Sequence, residues 1–95
     1  MEVSTVKSNL AILLVRADSV DIREDVVNDL LSGRTVIINY SDITGADRKA
    51  IEDFISGAVF ASNLQENQIS DDIVIYGAQV ERYVYQDRDD EYVEE

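Results

Sequence analysis

Residues 47–63, DRKAIEDFISGAVFASN, indicate a helix whose apolar side chains cover more of its circumference than one buried face requires. Two apolar stripes recur at helical spacing, one of Ile51, Ile55, Ala58 and Val59 and a second, rotated one of Ala50, Phe54, Gly57 and Ala61. A surface helix of a small domain normally carries one apolar stripe and a polar back. The second stripe therefore predicts a second covered surface, which a twin subunit or a bound partner would supply.

A glycine in the middle of this helix supports the same inference. Gly57 costs about 1 kcal/mol relative to alanine at an interior helix position, and close approach of another backbone is one compensation. Together with Ala58 and Ala61 it forms a patch of small side chains. Two interpretations remain open, namely helix-to-helix packing between subunits and close packing of the helix on its own sheet.

Alternating strand and helix signals surround this helix. Apolar or β-branched runs predict strands at residues 9–16, 35–40 and 73–76, with a shorter strand near 68–70 and an edge strand at 80–85. Residues 18–32 have helical spacing, with Asp21 and Glu24 resembling a capping box and Gly33 at the C-terminal end.

The order β-α-β-α-β-β predicts a compact α/β fold, a two-layer sandwich in which two helices cover one face of an open sheet. The other sheet face is then left without cover. We therefore expect a homodimer, built through the sheet faces or through the long helix.

Composition narrows the range of functions. The chain has 95 residues, a net charge of −12, no cysteine and no histidine. We expect one core domain at 9–85, a disordered segment at 1–8 and an acidic disordered tail at 86–95. Nucleic-acid and anionic lipid surfaces repel such a protein. Catalytic residues, metal sites and cofactors are not predicted. Asp47, Glu52 and Asp53 share one helix and do not face each other across a cleft, the acidic pairs at residues 71–72 and 89–90 lack the ligand spacing of a calcium loop, and no glycine-rich phosphate loop is present.

A series of short motifs carries a family resemblance. These are GRTVIIN at residues 33–39, DFISGAVFA at 53–61, NQI at 67–69 and IVIY at 73–76. In this order and spacing they resemble the core of the SepF family of cell-division proteins, over residues 10–82. The resemblance implies a compact α/β homodimer, or a higher oligomer, that binds the C-terminal peptide of FtsZ. It would help to anchor or align FtsZ filaments at the septum.

The resemblance also implies a cytoplasmic location, at the division site on the inner face of the membrane. Members usually begin with a membrane-binding amphipathic helix followed by a linker, and this sequence has neither. The chain is either a core fragment of a longer protein or a natural core-only homologue, and we expect the fragment. Membrane contact would then come only through an N-terminal segment missing here.

Four residues are the predicted partner-binding site. Phe54 matches the aromatic residue of the family's FtsZ-peptide pocket, and Arg48 matches its basic residue. Arg48 and Lys49 open the helix, where cations oppose the macrodipole. We predict a groove lined by these three residues and Ile51. The alternatives from the residues alone are a core position for Phe54 and solvated or acid-paired cations.

Two other classes remain as alternatives. A phospho-regulated switch of the STAS type would also place a buried strand, a polar loop and a helix in the order seen at residues 35–54. Such proteins normally carry a phosphorylatable hydroxyl at the start of that helix, and here only Thr44 lies nearby. The other alternative is a purely structural dimerisation module.

Overall fold

The structure, a computed structural model, describes residues 12–78. Within that range the strands are β1 (Ile12–Arg16), β2 (Thr35–Asn39), β3 (Gln65–Gln68) and β4 (Ile73–Gly77), and the helices are α1 (Arg23–Leu31) and α2 (Gly45–Ala61). A short 3₁₀ turn, Val20–Ile22, leads into α1. The predicted order β-α-β-α-β-β is confirmed. The predicted edge strand at 80–85 and the segments at 1–8 and 86–95 lie outside the described residues.

The four strands form one mixed open sheet in the order β1-β2-β4-β3. β1 and β2 are parallel, as the α1 crossover between them requires. β4 lies antiparallel to both β2 and β3. Of the strands in this part of the chain, β2 and β4 occupy the centre, and both are rich in isoleucine and valine.

Both helices pack against one face of the sheet. The core lies between these two layers, and its members come from the helices, from alternate positions of β2 and β4 and from the loop after β2: Val26, Leu30, Ile51, Ile55, Val59, Val36, Ile38, Val74, Tyr76, Tyr40 and Ile43. Alternate strand positions face opposite sides of a sheet. The prediction of a two-layer sandwich is therefore confirmed.

The opposite sheet face is apolar at its centre. Leu14, Ile37 and Ile75 lie directly across from one another on β1, β2 and β4. Leu14 is 79% exposed. A shallow cavity of about 310 Å³ opens beside Leu14, Ile37 and Ile73. We call this surface the helix-free face, because neither described helix covers it.

Two local predictions are corrected. Ser19, rather than an Asp21–Glu24 box, caps the first helical turn, since its hydroxyl accepts a hydrogen bond from the Asp21 N–H at 3.1 Å. β3 occupies Gln65–Gln68 instead of residues 68–70. Ile69 and Ser70 instead donate their N–H groups to the Ile73 carbonyl in the following turn. The prediction for Gly33 is confirmed, because its φ of 97° is the left-handed conformation that ends α1.

Candidate partner-binding surface on the second helix

The two stripes of α2 differ in burial. Ile51 and Ile55 are fully buried in the core. Phe54, on the rotated stripe, is 41% exposed, so part of its ring faces solvent. A partly exposed aromatic ring offers a large apolar surface to a partner. The prediction that Phe54 lies away from the core stripe agrees with this placement.

Phe54 lies at the seam between the two helices. The guanidinium of Arg23, the first residue of α1, lies over its ring at 5.2 Å from the centroid. At this distance a cation is attracted to the electron-rich face of an aromatic ring. The contact fixes the ring between α1 and α2 and places a positive charge beside an exposed apolar surface.

Arg48 is engaged within its own chain. Its Nε donates to Glu52 at 3.0 Å, its Nη1 donates to Asp72 at 2.9 Å, and its Nη2 donates to the Asp71 carbonyl. The guanidinium also lies 5.1 Å from the centroid of the Tyr40 ring. The hydrogen bond with Glu52 raises the pKa of Arg48 above its ordinary value, so the guanidinium stays charged. Arg48 therefore ties the start of α2 to the turn between β3 and β4.

The other two predicted site residues occupy different sides of α2. Lys49 is exposed and pairs with Asp53, one turn along the helix, at 3.3 Å. At about 100° per residue, Lys49 projects about 140° and Arg48 about 120° away from Phe54. Ile51 lies beneath the surface in the core. The structure thus brings Phe54 together with Arg23, and it places Arg48 and Lys49 on other flanks of the helix.

Sequence reasoning missed Arg23. The signal that selected Arg48, a cation in the first turn of a helix where it opposes the macrodipole, applies equally to Arg23. The contact itself could not be read from spacing, because it joins two different helices.

The small-residue patch has open space above it. Gly57 and Ala61 are exposed, and Ala58 is partly buried. A Cβ built on Gly57 would have nothing within 4 Å outside its own helical turn. Close packing of α2 on its own sheet therefore does not account for this glycine. Helix-to-helix packing between subunits stays a prediction for this patch.

A buried pair of tyrosines lies in the core between the helices and the sheet. The hydroxyls of Tyr40 and Tyr76 are 2.6 Å apart, and both side chains are buried. Burial raises the pKa of Tyr40 to about 12 and raises that of Tyr76 further. An unfolded tyrosine ionises near pH 10. Above that pH the unfolded chain loses protons that the folded chain keeps, so the free energy of unfolding should fall as pH rises from 10 towards 12.

Residues 12–78 show neither a metal-ligand cluster nor a membrane-spanning helix. No group of three histidine, cysteine or acidic side chains there is placed to hold a metal ion. None of the described helices has the length and apolar character that crossing a bilayer requires.

The fold and this surface define a small α/β module whose exposed features suit protein contacts. Residues 12–78 match the sequence family described as "Cell division protein SepF". The chain therefore belongs to the SepF family of cell-division proteins, and the predicted family is confirmed.

Curated relatives agree with this assignment. The chain is 36% identical over 52 residues to the cell division protein SepF of Lactobacillus helveticus, a stretch that covers 55% of this chain and 36% of that relative. Identity to the SepF of Lactobacillus delbrueckii subsp. bulgaricus is also 36% over 52 residues, covering 55% of this chain and 38% of the relative. The matched stretch thus spans little more than a third of the curated relatives.

Proposed function

We propose that this chain is the homodimeric core of a cell-division adaptor that binds the C-terminal tail peptide of FtsZ. It would help to anchor or align FtsZ filaments at the septum, on the cytoplasmic side of the membrane. The role would be one of binding rather than catalysis. Membership of a cell-division family supports the process, and the surface of α2 supports the mode of binding.

The observation that carries the proposal is the exposed ring of Phe54. A short tail would lay an apolar side chain on this ring and lie along the helix surface, as in helix-groove recognition. Lys49 projects about 140° away from Phe54 and would lie outside the contact with that side chain. Arg48 and Ile51 would support the surface indirectly. Arg48 holds the start of α2 through its bond to Asp72, and Ile51 packs the helix onto the core.

Dimerisation is proposed from two surfaces. The open space above Gly57, with Ala58 and Ala61 beside it, would let a second α2 approach closely. The helix-free face exposes Leu14 above a shallow apolar cavity, and it offers a second contact for a higher oligomer. Two tail sites on one dimer would raise the avidity for a filament that displays many tails.

The test uses isothermal titration calorimetry to measure binding of a synthetic peptide with the C-terminal tail sequence of FtsZ from the same organism. Phe54→Ala should weaken binding by about 30-fold, the loss expected when a central aromatic anchor of roughly 2 kcal/mol is truncated. Thermal unfolding should show that the variant still folds.

Phe60→Ala is the matched control. Phe60 is 88% exposed on the same helix, and it lies about 120° away from Phe54. Its removal should leave the affinity for the peptide within about twofold, as for a peripheral contact. Absence of binding by the wild-type chain would contradict the proposal, and so would equal losses in the two variants.

A further inference from the structure

We propose that the groove between α2 and β3 is a second docking surface, which binds an extended protein segment that carries an apolar side chain followed by a cationic one. The groove lies on the flank of α2 away from Phe54. At about 100° per residue, Ser56 projects about 160° and Phe60 about 120° away from that ring. The groove is therefore separate from the surface proposed for the FtsZ tail, and a second partner could occupy it while the tail is bound.

The first support is the apolar end of the groove. A cavity of about 320 Å³ opens between the last turns of α2 and the start of β3, with Val59, Phe60 and Leu64 in its walls. Phe60 is 88% exposed, more than any other large apolar side chain in residues 12–78. An aromatic ring in solvent beside an apolar cavity offers a surface that one apolar side chain of a partner would cover.

The second support is the acidic end of the groove. A neighbouring cavity of about 270 Å³ has the side chains of Glu52, Asp53 and Glu66 in its walls. The two cavities share Ser56 and Glu66, so they form one continuous groove that changes from apolar to acidic along its length. Complementary charge at this end would fix the direction in which a segment lies, with its cation next to the carboxylates.

The third support is the charge of Glu66. The other two carboxylates at the acidic end already form ion pairs with cations of α2. Glu66 is exposed and accepts a hydrogen bond from the Ser56 hydroxyl at 2.7 Å, and in the described part of the chain no cation pairs with it. The net charge of −12 attracts cationic segments to the whole molecule, and Glu66 gives such a segment a carboxylate to pair with.

A buried acceptor favours a peptide as the occupant. Gln65 lies in the wall of the apolar cavity, and its Oε1 atom is buried without a hydrogen-bond donor among residues 12–78. Buried polar atoms in proteins normally have a partner. An extended segment brings backbone N–H groups into the groove, and one of them would supply the donor that a purely apolar ligand lacks.

The experiment titrates the isotope-labelled full chain with two synthetic peptides in low salt, and NMR chemical shifts measure binding. The peptides are Ser-Leu-Phe-Ser-Lys-Lys and Ser-Leu-Phe-Ser-Glu-Glu, both with blocked ends. The basic peptide should shift the amide signals of Ser56, Phe60 and Glu66 with a dissociation constant of about 1 mM, typical of a short, weak ligand. The acidic peptide should leave these signals in place.

Substitutions in the groove test each end separately. Glu66→Lys should weaken binding of the basic peptide about tenfold, because repulsion replaces an ion pair. Glu24→Lys is the matched control, since it makes the same charge change at an exposed position of α1 and should alter the affinity by less than about twofold. Glu66→Gln keeps an oxygen for the Ser56 hydroxyl and removes only the charge, so its loss should lie between these two values. Phe60→Ala should weaken binding about tenfold by removing the apolar contact.

Three results would overturn the inference. One is the absence of shifts with the basic peptide, or equal shifts with both peptides. Another is a changed mass of Phe60→Ala in light scattering with unchanged affinity for the basic peptide, because a second copy of the chain would then cover the groove. The third is a loss of FtsZ-tail binding in Glu66→Lys, which would merge the groove with the tail site. If the basic peptide binds as expected while the FtsZ tail does not bind the wild type, the inference holds and only the proposed function fails.

Discussion

Substitutions at Gly57 should change stability and association in opposite directions. The residue lies in the interior of α2, and a side chain there would enter open space within its own chain. Gly57→Ala should therefore gain the helix propensity of alanine, about 1 kcal/mol, with no steric penalty. For a domain of this size that gain corresponds to a rise in melting temperature of about 4–8 °C. The melting temperatures of the wild type and Gly57→Ala should be compared at a concentration where light scattering shows a single chain.

Gly57→Lys should gain most of the same propensity, yet it should weaken self-association. A long, charged side chain would separate two helices whose axes would otherwise lie within about 8–10 Å. Light scattering over a concentration series measures the mass, and thermal unfolding shows that the fold persists. Asn28→Lys is the matched control, because Asn28 is exposed on α1 and the change adds the same charge.

Two results would refute this reasoning. A lower melting temperature for Gly57→Ala in the monomeric range would mean that the position is crowded in solution. A concentration-dependent mass for Gly57→Lys identical to that of the wild type would remove Gly57 from the assembly contact. The helix-free face would then be the remaining surface for a dimer.

Other predictions test the supporting structure. Tyr76→Phe should lower the free energy of unfolding by about 1–2 kcal/mol, since it leaves the buried Tyr40 hydroxyl unpaired. Changing both tyrosines to phenylalanine should cost less than the sum of the two single changes. Additive losses of unfolding free energy in urea denaturation would contradict this. Stability of the wild type should fall between pH 10 and pH 12, and the double variant should lose less over that window. Arg48→Gln should lower the melting temperature by about 4–8 °C, which corresponds to a net loss of about 1 kcal/mol for a partly exposed network. An unchanged melting temperature would mean that the bonds from Arg48 to the β3–β4 turn do not stabilise the fold. Leu14→Glu should reduce the mass of any assembly formed through the helix-free face while the melting temperature of the monomer stays constant.

The fold was predictable because its signals are local. The run at residues 35–40 and the helical period of 47–63 each specify their own element, and alternation of strands and helices then restricts the layers. β3 was misplaced because QENQ has no apolar period, although it pairs antiparallel with β4. The cap at Ser19 was missed because the chain enters α1 through a 3₁₀ turn, which shifts the cap two residues before the acid that was proposed.

The candidate site was predictable only in part. The rotated stripe identified the solvent-facing side of α2, since that depends on spacing within one helix. The partners of the cations depend on tertiary contacts. Arg48 meets Asp72 at a separation of 24 residues, and Arg23 meets Phe54 across two helices. A sequence lists these charges, but packing decides which of them are already paired.

The composition of α2 is explained by three faces instead of one. Ile51 and Ile55 point into the core, Phe54 is rotated by about 60–100° towards α1, and Gly57 is rotated by about 60° more. A helix that served only its own core would place polar residues on the last two faces. Here one face carries a partly exposed aromatic ring beside the Arg23 guanidinium, and the next carries Gly57 under open space. A mixed apolar and charged face suits a tail that binds and leaves, whereas a flat face of small residues suits close contact with a second copy of the chain.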